Sequence, residues 1–230
     1  GGITEGAEAQ GNARLDLGLQ IPLGHAADVR VDGALAFQNN SVTLAGLPPF
    51  TRTSGTLNFN ERGVRIDNIS TALLGGAARL DASTRADGAL VFNASGTTTP
   101  AGLRDAVPFA PLQRLLDKSS GSARYQASVV VKDGTELRID SDLVGLGIDG
   151  IAPLRKAPAE SLPIRIERVA HSASDDLQVQ LGRALGVRLE RRAADASGEL
   201  RLTRGVVAVN EPANLPDNGL LVLVSLPRVD

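Results

Sequence analysis

The fold is decided most clearly by residues 55–66, whose sequence is GTLNFNERGVRI. Apolar and polar residues alternate on both sides of its centre, which is typical of strands with one apolar face. Leu57 and Phe59 share a face of the first strand, and Val64 and Ile66 share a face of the second. The polar residues between them, which end at Gly63, predict a turn. This stretch is therefore a β-hairpin with one apolar and one wet face.

The same period of two extends along most of the chain, from Val29 to Leu202. Asp-Gly or Asn-Gly pairs occur along the chain at 32–33, 87–88, 133–134, 149–150 and 218–219. Such pairs favour tight hairpins. We therefore predict about 14 to 16 sequential strands in a mainly β fold. The expected architecture is an elongated, curved antiparallel β-meander that forms a groove-like sheet, rather than a set of βαβ units.

A weak internal repeat accompanies the alternation. Five-residue units that begin with Gly recur at 33–37, 55–59, 88–92 and 198–202. We interpret the repeated unit as strand, polar turn and strand, an arrangement that suits a sheet growing in one direction. An ordinary β-meander shows similar echoes.

One segment interrupts the strands. Thr99 is a suitable N-cap for a helix that has Pro100 at its first position, and the leucines at 112, 115 and 116 follow helical spacing. One or two short helices are predicted near 100–118. The chain then divides into a first β section at 1–97, a helical interruption at 98–121 and a second β section at 122–230, continuous with the first. The proline-rich residues 151–163 predict an ordered loop or an extended edge segment.

Composition excludes several classes of function. The 230 residues contain 24 Lys and Arg against 26 Asp and Glu, a net charge of −2, so no nucleic-acid partner is expected. With no Cys and only two His, neither a metal site nor a cofactor is expected. No run of about 18 apolar residues is present. Because the chain opens on Gly-Gly and has no Met, we expect it to be an internal piece of a larger protein.

The sequence offers few candidates for chemistry. Carboxylate pairs occur at 140/142 and 175/176. The first pair could suit acid–base work or a calcium ion, but a solvated strand face is its simpler interpretation. The segment RLERR at 188–192 is interpreted in the same way. Asn-x-Ser triplets at 39–41, 68–70 and 93–95 match a glycosylation pattern that often arises by chance. We expect no catalytic residue.

The apolar face itself is the main candidate site. A sheet with one apolar face must cover that face or use it, and a curved sheet would form an aliphatic trough. Such a trough would hold acyl chains, since each buried methylene contributes about 0.8 kcal/mol. The residues predicted to bind apolar tails are Leu35, Phe37, Val42, Leu44, Leu57, Phe59, Val64, Ile66, Leu90, Phe92, Val129, Val131, Leu137, Ile139, Ile164, Ile166, Val179, Leu181, Leu200 and Leu202.

Several segments occur along the chain in this order: 54–64 leading to 74–76, then 141–146, 152–156 and 162–164, and finally 204–206, 210–212 and 226–230. In this order they resemble the YhdP/AsmA-like family of Gram-negative envelope proteins. Arg155 departs from the small residue or glycine expected there. The resemblance implies an internal periplasmic segment of a protein anchored in the inner membrane by a helix outside this sequence. It also implies a β-groove that passes phospholipid between the inner and outer membranes, in contact with neighbouring segments of the same larger protein.

Two other classes of function compete with this hypothesis. In a structural or assembly module of the envelope, the same apolar face would be a sealed core and partners would bind by edge-strand addition. An envelope hydrolase is the third candidate, and it would need a buried cluster of polar groups with shifted pKa values. The face of each strand that lines the groove follows from the alternation, and a register slip of one residue would invert it.

Overall fold

The computed structural model describes residues 8–20, 30–44, 47–150, 153–193 and 199–225. Strands account for most of these residues, and two short helices accompany them, so the mainly β fold class is confirmed. The chain divides into two compact units, residues 1–113 and 114–230. The three sections expected from the sequence, with boundaries near 97 and 121, stay a prediction.

The first unit contains a six-stranded antiparallel meander in which spatial order follows chain order. Each strand pairs with the next one, and the connections at 61–62, 74–75 and 85–89 are short, as the hairpin pattern predicted. The strands are β1 (Glu8–Gln20), β2 (Arg30–Thr43), β3 (Phe50–Asn60), β4 (Gly63–Leu73), β5 (Gly76–Thr84) and β6 (Leu90–Thr98).

The Asp-Gly pairs do not all form turns. Gly88 has a φ of +81° in the tight connection between β5 and β6, as predicted. The hairpin predicted at Asp32-Gly33 is wrong, because both residues lie inside β2. A Cβ on Gly33 would lie 2.1 Å from Cζ of Phe59, so this glycine makes room for the neighbouring ring. The repeat unit at 33–44 is consequently one long strand and its end, whereas the unit at 55–66 is a true hairpin.

Three neighbouring strands each carry a β-bulge. Asn39 in β2, Arg52 in β3 and Asn68 in β4 have φ values of 59°, 54° and 58°, the left-handed region that favours asparagine. The pairing register shifts next to each of them. Two of the Asn-x-Ser triplets therefore have a structural explanation, since their asparagines supply the backbone conformation that a bulge requires.

Two helices follow β6, as predicted. They are α1 (Pro100–Ala106) and α2 (Ala110–Leu116). Thr99 caps α1, because its hydroxyl accepts a hydrogen bond of 3.2 Å from the Gly102 amide. Neither helix is long and apolar enough to cross a membrane, and the described ranges hold no other helix.

The second unit contains a seven-stranded run and a small two-stranded sheet. The two-stranded sheet pairs β7 (Ser119–Gly121) with β10 (Leu146–Ile148). In the larger run the last pair is parallel, which departs from the expected antiparallel meander. The segment at 210–218 connects that pair, so Asn218-Gly219 is not a hairpin turn. The larger run comprises β8 (Ala123–Val131), β9 (Thr135–Ser141), β11 (Ile164–His171), β12 (Ser174–Leu181), β13 (Leu185–Ala193), β14 (Leu200–Val209) and β15 (Gly219–Val224).

A compact core closes one end of the second unit. Leu143 and the residues of β10 pack over Leu181, with Leu115 of α2 and Leu162 against them. The described part of the proline-rich segment, residues 153–163, forms no strand and wraps this core, as predicted for a loop. Lys156 is buried there, and its ammonium donates to the carbonyls of Leu146 and Ala157 at 2.7 and 3.0 Å. These bonds satisfy the charge of the only buried lysine in the described residues.

Candidate functional site

The strand register of the first unit places apolar side chains in continuous rows. Residues directly opposite one another across a sheet lie on the same face, and every bulge described above preserves this face for the apolar set. We call this face of the first unit the apolar face. One row consists of Leu15, Leu35, Leu57, Ile66, Ala82 and Phe92, and the next consists of Leu17, Gly33, Phe59, Val64, Thr84 and Leu90.

Burial of the apolar face increases from β1 towards β4. Leu15, Leu17 and Leu19 are 55%, 58% and 54% exposed, whereas Ile66 and Ile69 are only 8% and 2% exposed. The strands β4 and β6, which are not neighbours, approach within 8 Å, although flat sheets would hold such strands about 9.6 Å apart. The sheet therefore curls here, and crowding of same-face side chains buries the isoleucines while β1 stays open.

A buried polar row crosses the apolar face between Phe37 and Val42. Asn40 and Thr53 are 2% and 4% exposed, and they pair directly across β2 and β3. The Asn40 side chain accepts from the Gln38 amide at 2.6 Å, and the Thr53 and Thr71 hydroxyls lie 3.0 Å apart. Because these buried groups have hydrogen-bond partners, the row interrupts the apolar surface between Phe37 and Val42 without leaving unsatisfied polar atoms.

The second unit repeats the arrangement with a longer row. Its apolar face is the face that carries the side chains of Ile139 and Val179. Consecutive strand pairings extend this face without interruption from β8 to β15. The first row on this face consists of Ala127, Ile139, Ile166, Val179, Val187, Val207 and Val222. The opposite face is covered near Val206 and Ala208, both fully buried.

The predicted tail-binding residues can now be placed. Every predicted residue that lies in a strand is on the apolar face of its unit. The alternation in the sequence therefore identified the same face of the sheet on both sides of every bulge. Leu44 alone lies just past the end of β2. The prediction omitted the three leucines of β1, although RLDLGLQ at 14–20 alternates perfectly. It also omitted Val187 and Leu189, which alternate with the charged residues Arg188 and Glu190.

The charges at 188–192 in fact divide between the two faces of the sheet. On the face opposite the apolar one, Arg192 pairs with Asp176, and Arg204 donates to Glu190 at 2.7 and 3.0 Å. Arg191 instead belongs to the apolar face, where it bonds to Asp175. The interpretation of 188–192 as a single solvated face is therefore wrong for Arg191.

The other carboxylate pair does not form a site. Asp140 lies in β9, while Asp142 follows the end of that strand and accepts from the Val144 amide. Asp140 accepts from Arg138 and Arg165, each at 2.7 Å, and these two bonds hold its pKa below the ordinary value. Such a carboxylate stays ionised and is unsuited to acid catalysis. Among the described residues, no group of three or more metal-ligating side chains comes together.

Among the described residues of the second unit, Asp175 is the one buried carboxylate on the apolar face. It is 1% exposed and receives two hydrogen bonds of 2.9 Å from Nε and Nη2 of Arg168 and a further one from Arg191. The bond from Arg168 is the main reason that its pKa is held below the ordinary value. Both arginine side chains remain nearly half exposed, at 46% and 44%.

Tyr125 shares the apolar face of β8 with Ala127. The side chain is 5% exposed, and burial raises the pKa of its phenol to about 12. Its hydroxyl makes no hydrogen bond within the described residues. The phenol is therefore neutral at physiological pH and adds no negative charge to this face.

A cleft of about 890 Å³ lies at the end of β1–β4 in the first unit. Leu17, Phe59 and Val64 of the apolar face contribute to its lining, together with Asp32 and Arg62. Polar groups thus meet the apolar rows at this end of the strands.

The described residues hold long rows of apolar side chains, exposed at β1 and buried at β4, and no metal-ligating cluster. They define a β-sheet protein with an extended apolar face. The family comparison agrees with that class. The model of the YhdP protein family matches residues 1–230, the whole chain, so the protein belongs to the YhdP family of envelope proteins. No curated relative and no solved structure matches the chain.

Proposed function

We propose that this chain is a segment of a periplasmic β-groove that binds phospholipid acyl chains and passes them between the inner and outer membranes. The observation that carries the proposal is the uninterrupted aliphatic row from Leu15 to Phe92. Membership of the YhdP family supports it. The role is non-catalytic, because moving a lipid along an apolar surface requires no bond to form or break.

The accessible part of the row suits the first methylenes of an acyl chain. Strands β1 to β3 at about 4.8 Å spacing span roughly 10 Å, and their apolar side chains in this row are exposed or half-buried, whereas Ile66 and Ala82 beyond them are buried. Each methylene transferred from water to this surface gains up to about 0.8 kcal/mol. Because adjacent positions in the row are chemically alike, a chain can shift along them without a large barrier.

The open side of the groove is at β1. Its three leucines are more than half exposed, and such a contiguous apolar patch on a sheet is typical of a binding surface. The same strand supports a second candidate function, a structural module of the envelope. Among the described strands β1 pairs only with β2, so its outer edge is free to accept a strand from a partner.

Native mass spectrometry of the purified chain with added phospholipid, together with lipid extraction, distinguishes the two functions. The test variant is Leu57→Asp, and Asn58→Asp is its matched control, since Asn58 is exposed on the opposite face of the same strand. Leu17→Asp is a second test variant at a position that is 58% exposed, where folding is not at risk. Circular dichroism verifies that each variant is folded.

The proposal expects bound phospholipid in the parent chain and in Asn58→Asp, and its loss in both leucine variants. A chain that takes up no phospholipid, or leucine variants that bind as well as the control, would refute the groove. Retained binding of an added strand peptide in that case would favour the structural module.

A further inference from the structure

An arginine pair interrupts the apolar face of the second unit. Arg168 stands directly between Leu137 and Leu177 in the row next to Ile166, and Asp175 and Arg191 are paired in the row beyond it. The buried carboxylate of Asp175 holds both guanidinium groups side by side. We call Arg168 and Arg191 the arginine pair, and the Asp175 side chain is its carboxylate.

The arrangement leaves positive charge and hydrogen-bond donors in the open. Two guanidinium groups face one carboxylate, so the three residues carry a net charge of +1. Arg168 uses Nε and Nη2 and Arg191 uses Nη2, and the remaining N–H groups make no hydrogen bond within the described residues. Because both side chains are nearly half exposed, these donors can reach an incoming ligand.

Two charged clusters on the opposite face are each balanced. Arg138 and Arg165 there are matched by Asp140 and Glu167, and a second four-residue cluster, Arg192, Arg204, Asp176 and Glu190, is likewise neutral. A buried ion pair seldom stabilises a fold more than apolar residues of the same volume would. Stability alone therefore does not explain an unbalanced charged group in the middle of an aliphatic surface.

We infer that the arginine pair binds the phosphate of an amphiphile whose acyl chain lies on the neighbouring aliphatic row. This inference rests on the proposed groove and adds a fixed position for the headgroup. The row of Ile139, Ile166 and Val179 begins two residues along each strand from Arg168, a separation of about 6.7 Å. A phosphate and the first methylenes of its tail span that separation, and paired guanidinium groups match phosphate oxygens in geometry and charge.

Calorimetric titration of the full chain tests the inference with four probes below their critical micelle concentrations. The probes are decyl phosphate, decyl maltoside, decyltrimethylammonium and inorganic phosphate. The variant is the triple substitution Arg168→Gln/Asp175→Asn/Arg191→Gln, which leaves no unpaired buried carboxylate. The matched control removes the same groups from the opposite face, as Arg138→Gln/Asp140→Asn/Arg165→Gln. Arg191→Gln alone, which leaves Asp175 paired with Arg168, is the fallback if the triple variant does not fold.

Decyl phosphate should bind the parent chain and the control more tightly than the other probes, and the triple variant should lose at least about tenfold in affinity for it. Binding of decyl maltoside should not change. Equal binding of decyl phosphate and decyl maltoside, or an unchanged triple variant, would overturn the arginine site while leaving the groove intact. If inorganic phosphate binds as tightly as decyl phosphate, the arginine pair is a site for free anions and the headgroup assignment is overturned. Absence of binding by all three amphiphiles would refute the groove itself.

Discussion

Truncation of Ile69 tests whether the curled part of the sheet is held by its own apolar face. Ile69→Ala removes three carbons from a side chain that is 2% exposed and packs with Ile66 and Ala82. At about 0.8 kcal/mol for each buried carbon, with a further cost for the cavity, the loss of stability should be about 2–4 kcal/mol. Leu17→Ala also removes three carbons, but its side chain is 58% exposed, so it should cost less than about 1 kcal/mol.

Hydrogen exchange followed by mass spectrometry measures this effect strand by strand. A loss of 2 kcal/mol raises the opening equilibrium roughly 30-fold, so amides of β4 and β5 should exchange about 30 times faster in Ile69→Ala. Peptides from β12 and β13 in the second unit serve as an internal reference. If Ile69→Ala and Leu17→Ala accelerate exchange equally, the difference in burial along the apolar face has no energetic meaning and the reasoning is refuted.

Three smaller predictions follow from single contacts. The pKa of Asp175 in the folded chain lies below the ordinary value of 3.8, because Arg168 donates hydrogen bonds to its carboxylate. The contribution of this carboxylate to folding stability is therefore complete above pH 3.8, and it is lost as the pH falls through the folded pKa. Asp175→Asn should therefore cost about 1–3 kcal/mol at pH 7 and progressively less below pH 3.8 in urea titrations; a pH-independent cost would contradict this. Gly33→Val should lower the free energy of unfolding by about 1–3 kcal/mol, because the new side chain displaces the Phe59 ring. In a double-mutant cycle, most of that cost should disappear when Gly33→Val is made in the Phe59→Ala background, whereas additive effects would argue against the contact. Thr99→Ala should cost about 1 kcal/mol by removing the cap of α1, measured as faster amide exchange in residues 100–106, and unchanged exchange would count against the cap.

Much of the fold could be predicted because its signals are local. Alternation with a period of two located β2, β3, β4, β6, β8, β9, β11, β12 and β14 but missed β1, β5, β13 and β15, and the threonine–proline pair located the start of α1. Strand faces were also predictable, since apolar residues occupy one set even where a bulge shifts the register. The three bulges themselves were not recognised, because an asparagine in a strand looks the same whether it faces water or adopts a positive φ.

The errors have a common physical cause, which is that the partner of a residue is not visible in its own segment. Gly33 was predicted to form a turn because the ring that needs its space, that of Phe59, belongs to the next strand. Arg191 was assigned to a solvated face because its carboxylate, Asp175, lies 16 residues earlier on a neighbouring strand. The parallel pairing of β15 depends on the crossover at 210–218, which no turn signal encodes.

The central claim is that lipid tails contact one alternating face of the sheet, and site-specific photo-crosslinking along β1 tests it most directly. A benzophenone side chain is placed in turn at Arg14, Leu15, Asp16 and Leu17, which alternate between the two faces and are all exposed. With phospholipid vesicles present, the account predicts crosslinked lipid at Leu15 and Leu17 and little at Arg14 and Asp16. Crosslinking of equal yield at all four positions, or at the polar pair alone, would contradict it.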